Sequence, residues 1–74
     1  MISLVDIKID QKATIVDIIG DNSIVQLTEL GFIPNQEVTL VRKGPFGSPL
    51  CFQIGGCLIA LRKDQAQMIK VLLS

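Results

Sequence analysis

Leu50-Cys51-Phe52-Gln53-Ile54-Gly55-Gly56-Cys57-Leu58-Ile59-Ala60-Leu61 decides the fold. Two runs dominated by apolar residues flank a Gly-Gly pair, and glycine reaches the positive φ angles that a two-residue hairpin turn requires. With Gly55 and Gly56 as the loop, Ile54 opposes Cys57, Phe52 opposes Ile59 and Leu50 opposes Leu61. All six then share one face, which the alternation predicts to be the core, Cys57 included. Cys51, Gln53, Leu58 and Ala60 point the other way, with Cys51 opposite Ala60.

Upstream of this hairpin, Gly44-Pro45-Phe46-Gly47-Ser48-Pro49 combines glycines and prolines that break regular structure, so it reads as a loop with Phe46 at its tip. Before it, Glu37 to Lys43 alternates, placing Val38 and Leu40 inward and leaving Val41 as the apolar exception. Pro34-Asn35 predicts a turn, because proline presets φ at the first turn position and asparagine tolerates positive φ at the second. Earlier still, Asp21 or Asn22 can cap a short helix carrying Ile24, Leu27 and Leu30 at helical spacing, and Gly31 supplies its left-handed stop. The β-branched run Ala13 to Ile19 predicts a strand with Val16 and Ile18 on its core face.

Downstream, Asp64 can cap a helical turn containing Ala66 and Ile69, and Lys70 to Leu73 closes the chain as a strand with Val71 inward. The sum is a mostly β domain spanning residues 1–74. It has about five strands, a short helix after the first and a helical turn before the last, and small closed barrels are built from such parts. Closure would remove exposed strand edges.

Composition narrows the function. Seven Lys or Arg balance seven Asp or Glu, and the aromatic residues are Phe32, Phe46 and Phe52 alone. A nucleic-acid binder would show basic excess and stacking side chains, so no nucleic acid is expected. No apolar run approaches the ~18 residues of a membrane span. Asp6 and Asp10 interrupt the N-terminus, which lacks the apolar core of a secretory signal, so a cytoplasmic location is expected. Histidine, tyrosine and tryptophan are absent, which removes His-based triads and His-containing zinc sites, and the acids are scattered singly. No enzyme is expected. Gly44 to Pro49 lacks the G-x-x-x-x-G-K-[ST] pattern, and its prolines remove donors that a phosphate cradle needs.

The ordered combination Leu30-Gly31-Phe32-Ile33-Pro34, then Pro45-Phe46-Gly47-Ser48-Pro49, then Ala60-Leu61-Arg62 with Ala66, Ile69 and Val71, resembles the FeoA family. The resemblance runs from about Leu4 to Leu72. It implies an SH3-like small barrel, a cytoplasmic accessory of ferrous iron uptake that meets the FeoB-type membrane transporter at the inner face of the membrane. Asn35 stands where a glycine commonly follows the proline, and Ile9-Asp10-Gln11 replaces the usual Pro-Gly of the first turn. A similar barrel ends the iron-dependent regulators of the DtxR type, so a metal-responsive regulator domain is the alternative reading. No segment here corresponds to the helix-turn-helix and dimerisation region that precedes it there.

Contact surfaces follow from the strand ends. Arg42-Lys43 and Arg62-Lys63 end two strands that flank a third, which gathers four cations into a patch suited to an acidic partner surface or to lipid head groups beside a transporter. Phe46, Val41 and the outward trio Cys51, Leu58 and Ala60 form a candidate apolar surface, either a homodimer seam or a transporter-docking face, unless Leu4, Ile7 and Ile9 fold over it. The partner-binding candidates are therefore Arg42, Lys43, Phe46, Leu58, Arg62 and Lys63. Gly31, Pro34, Asn35, Gly47, Gly55 and Gly56 are candidates for turn geometry. No cofactor is expected. Cys51 is the candidate thiolate for weak transition-metal binding, but the hairpin register sets Cys51 and Cys57 on opposite faces, where they can share neither a metal nor a disulfide.

Overall fold

The hairpin forms in the register that its sequence implies: Leu50 pairs with Leu61, Cys51 with Ala60, Phe52 with Ile59, Gln53 with Leu58 and Ile54 with Cys57. A computed structural model describes residues 1–74. Its elements are β1 (Ile2–Ser3), a 3-10 turn (Leu4–Asp6), β2 (Lys12–Ile18), α1 (Ser23–Glu29), β3 (Glu37–Lys43), β4 (Leu50–Ile54), β5 (Cys57–Leu61), α2 (Lys63–Gln67) and β6 (Ile69–Leu73). All strands join one antiparallel sheet in the order β1-β6-β2-β3-β4-β5. The strand beyond the expected five is the two-residue β1.

The sheet curls around a single core. Fifteen residues are buried, all of them apolar. Leu50, Phe52, Ile54 and Leu61 come from the hairpin, Val38 and Leu40 from β3, Leu27 from α1 and Ile69 and Val71 from β6. At the centre Phe32 meets Phe52 edge to face, with ring centroids 6.3 Å apart and planes at 84°, the arrangement that sets a ring's positive edge against another's negative face. Leu4 and Ile7 are fully buried in this core, and their segment packs against α2 and β6. They do not cover the outer face of the hairpin, where Leu58 stays 65% exposed.

β2 departs from the expected face. Ala13 and Ile15 are buried, whereas Val16 is 36% exposed. A β-bulge explains the change: Ile15 opposes Val71, but Asp17 opposes Lys70, so Val16 is the extra residue. Beyond a bulge the alternation reverses, which returns Ile18 to partial packing against the core. A second register shift falls between Leu40 and Arg42; Val41 faces outward by simple alternation, and the shift sets Arg42, which alternation would turn inward, opposite Cys51 on the outer face.

Three end residues also differ. Cys57 is exposed and Cys51 half-buried, the reverse of the expectation, because Cys57 begins an edge strand beside the turn and no strand flanks its outer side. Arg62, not Asp64, is the N-cap of α2; its N–H donates to Gln65 Oε1 at 3.0 Å. Ile69 belongs to β6 rather than to the helical turn. At α1 the acceptor is Asp21, whose Oδ1 takes the Ser23 N–H at 2.9 Å and the Ser23 hydroxyl at 2.6 Å, while the Asn22 side chain makes no cap bond.

Closure is incomplete. β1 and β5 stand at opposite ends of the strand order, so the barrel keeps edges that full closure would have removed.

Candidate functional site

Phe46 is held outward by the loop between β3 and β4. Gly44 N–H donates to Pro49 C=O at 2.8 Å, Gly47 N–H to Gly44 C=O at 3.1 Å and Ser48 N–H to Pro45 C=O at 3.2 Å. Gly44 has an ordinary φ, but a β-carbon there would lie 2.5 Å from the Ser48 carbonyl oxygen. Only glycine lets the two legs of the loop close. Braced in this way, Phe46 adopts φ 59°, ψ 22° and is 99% exposed. A bulky residue in left-handed backbone with its ring wholly in water combines strain with unfavourable exposure, and such features cluster at functional sites.

The cations gather around this loop. Lys43 opposes Leu50, Leu50 opposes Leu61, and Arg62 and Lys63 follow directly. The structure thus brings Arg42, Lys43, Arg62 and Lys63 to one end of the sheet, as the strand order implies. Lys63 reaches further, since its Cε and Nζ lie against Gly47. Arg62 is partly neutralised: its Nε donates to Asp64 Oδ1 at 3.3 Å, the only ion pair in the protein, and exposed pairs of this kind are weak. Arg42, Lys43 and Lys63 have no such partner.

On the outer face of the sheet, register sets Arg42, Cys51 and Ala60 in one row and Thr39, Gln53 and Leu58 in the next. Leu58, Cys51 and Ala60 therefore share a face, and Arg42 continues it toward the cationic end.

Gly31 (φ 110°), Asn35 (73°), Gly47 (79°), Gly55 (55°) and Gly56 (83°) all occupy positive φ, and Pro34 sits inside the turn closed by the Gln36 N–H to Ile33 C=O bond of 3.2 Å. Two positions escaped the sequence reading. One is Gly44, whose role is close approach. The other is Asp10, which adopts φ 68° in a turn closed by Gln11 N–H to Lys8 C=O at 3.0 Å; aspartate's tolerance of left-handed backbone was the available signal.

No group of three or more His, Cys, Asp or Glu side chains comes together. With the two thiols also on opposite faces, the donor set does not fit a resident zinc centre, which takes four ligands of this kind or three and a water. A polar hollow of about 270 Å³ lies beside the hairpin turn, lined by Lys12, Gln36, Glu37, Thr39, Gln53, Gly55 and Gly56.

The FeoA domain model matches residues 2–73. This chain belongs to the FeoA family. Among solved structures, it is similar to FeoA of Stenotrophomonas maltophilia in complex with zinc, at 32% identity and TM-score 0.85, covering 96% of this chain and 89% of that one. It is similar too to iron(II) transport protein A of Clostridium thermocellum, at 29% identity and TM-score 0.91, covering 97% of this chain but only 45% of that one. The S. maltophilia protein is described as an SH3 domain protein, and the FeoA-family chain here has the same small SH3-like barrel. IdeR of Thermoplasma acidophilum shares the fold at 20% identity and TM-score 0.84, with 34% of its length covered. No curated protein matches.

Proposed function

We propose that this FeoA-family chain is a non-catalytic, cytoplasmic accessory of ferrous iron uptake that docks on an acidic surface of a FeoB-type membrane transporter. The observation that carries the reading is Phe46, 99% exposed and held in left-handed backbone, with the unpaired cations Arg42, Lys43 and Lys63 gathered at the same end of the sheet. An exposed aromatic anchor with cations at the same end of the sheet has the anatomy of a binding hot spot with a steering rim. The S. maltophilia relative, described as a candidate ferrous iron transport activating factor, supports the choice of process. Ferrous iron is then the transporter's cargo and needs no site on this chain.

Binding to the cytoplasmic domain of such a transporter, measured by calorimetry in nucleotide-free, GDP and GTP-like states, tests this. Association in at least one state, weakened by charge reversal at Arg42 and Lys63 and by added salt, is expected. No association in any state would overturn it. The likeness to IdeR supports a second reading, a terminal domain of a metal-responsive regulator, which predicts binding to a helix-turn-helix domain instead.

A further inference from the structure

We infer that β5 is a self-pairing edge through which two copies of this chain form a dimer by joining their sheets. The inference does not depend on the transporter reading. β5 pairs with β4 and with no other strand. In a hairpin with a two-residue turn, the residues flanking the turn exchange both backbone bonds, and hydrogen-bonded pairs then recur at every second position. Ile54–Cys57, Phe52–Ile59 and Leu50–Leu61 are those pairs. The N–H and C=O groups of Leu58 and Ala60 therefore point away from β4, toward the open edge.

Protective features are missing from this edge. Natural sheets blunt exposed edges with lysine, proline or a bulge. β5 contains neither residue type, its register with β4 runs without a shift, and no charged residue occurs anywhere from Leu50 to Leu61. The two bulges of this sheet lie elsewhere, in β2 and β3. Leu58 is 65% exposed and Cys57 and Ala60 are exposed as well.

The sequence of β5 matches itself. If a second copy approaches antiparallel with the two-fold axis at Ile59, Leu58 faces Ala60 of the second copy and Ala60 faces Leu58 of the second copy. Both edge-facing residues of each strand then exchange both of their backbone bonds. Leu58 and Ala60 of the two copies make one continuous apolar patch on the outer face. In this register Arg62 lies opposite Gly56 of the second copy and Lys63 opposite Gly55, so no like charges meet. Centring on Leu58 would set Ala60 against the turn, and centring on Ala60 would press Arg62 against Leu58. The register on Ile59 alone uses every free edge group without a charge conflict. The other edge, β1, has only two residues and offers no comparable run.

Amide hydrogen exchange and sedimentation equilibrium of the wild-type protein, from micromolar to near-millimolar concentration, test the inference. A monomer–dimer equilibrium is expected, with the Leu58 and Ala60 amides exchanging fast when dilute and slowly when concentrated. Ala60→Pro removes an N–H that the β4–β5 ladder does not use, and it should weaken the dimer at least about tenfold. Leu58→Lys, which retains the backbone donor, should weaken it by like-charge crowding. A protein that stays monomeric across the range overturns the inference. So does a dimer in which these two amides remain unprotected, whether it forms through the Phe46 surface or another face.

Discussion

Lys63, the first residue of α2, lies against Gly47 in the loop that carries Phe46: a β-carbon on Gly47 would stand 2.9 Å from its Cε and 3.1 Å from its Nζ. The contact ties the start of α2 to the β3–β4 loop and places a cation beside the exposed aromatic residue. Position 47 is constrained twice over, by this contact and by its φ of 79°.

Gly47→Ala should accordingly lower stability by about 1–2 kcal/mol, the usual cost of left-handed backbone for a residue with a β-carbon. Urea unfolding should show a lower midpoint with an unchanged slope. Because Lys63 must move aside, transporter binding should fall as well.

Phe46→Gly should separate stability from binding. Glycine relieves the left-handed strain and removes an exposed ring, so the unfolding free energy should stay level or rise by up to about 1 kcal/mol. Binding to the transporter domain should drop at least about tenfold if the ring is the anchor. Paired denaturation and calorimetry measure both, and an unchanged affinity would remove Phe46 from the interface.

Asp10→Gly should leave the fold intact and change stability by no more than about 1 kcal/mol, because the left-handed strain it relieves is offset by the greater freedom of glycine in the unfolded chain. The same denaturation series reads this directly. A larger loss would mean that the Asp10 carboxylate itself holds the turn.

Stability should also depend on acid through Asp21. The Ser23 hydroxyl, and after it the Ser23 backbone N–H, hold its carboxyl below the ordinary value of 3.8. A depressed carboxylate stabilises the folded state fully above its unfolded pKa, and that contribution is lost as pH falls through the lower folded value. The wild type should therefore lose stability relative to Asp21→Asn only below about pH 4. Thermal unfolding of the two proteins across that range checks the sign.

Much of the scaffold is legible in the sequence. The Gly55-Gly56 turn determined the β4–β5 register through local backbone preference, and Val38 and Leu40 declared their face by simple alternation. Gly31 and Asn35 announced positive φ because few other residues tolerate it. Val16 was misread because a bulge depends on what β2 pairs with, and β6 lies far along the chain. Cys57 was misread because alternation predicts a face but not whether anything lies over it. The exposed loop residue was visible as a lone phenylalanine among breakers, while its left-handed backbone was not, since that follows from the bonds between Gly44, Pro45, Ser48 and Pro49 that brace the loop.

Sequence by itself determined the local elements, the hairpin register and the clustering of Arg42, Lys43, Arg62 and Lys63 at neighbouring strand ends, all of which rest on short-range stereochemistry and strand alternation. Tertiary structure alone decided where the sheet bulges, that Leu4 and Ile7 enter the core rather than cover the hairpin, and that β5 is left as an open edge. These depend on which distant strands compete for the same hydrogen bonds and apolar surface, and that competition is resolved only when the whole chain has packed.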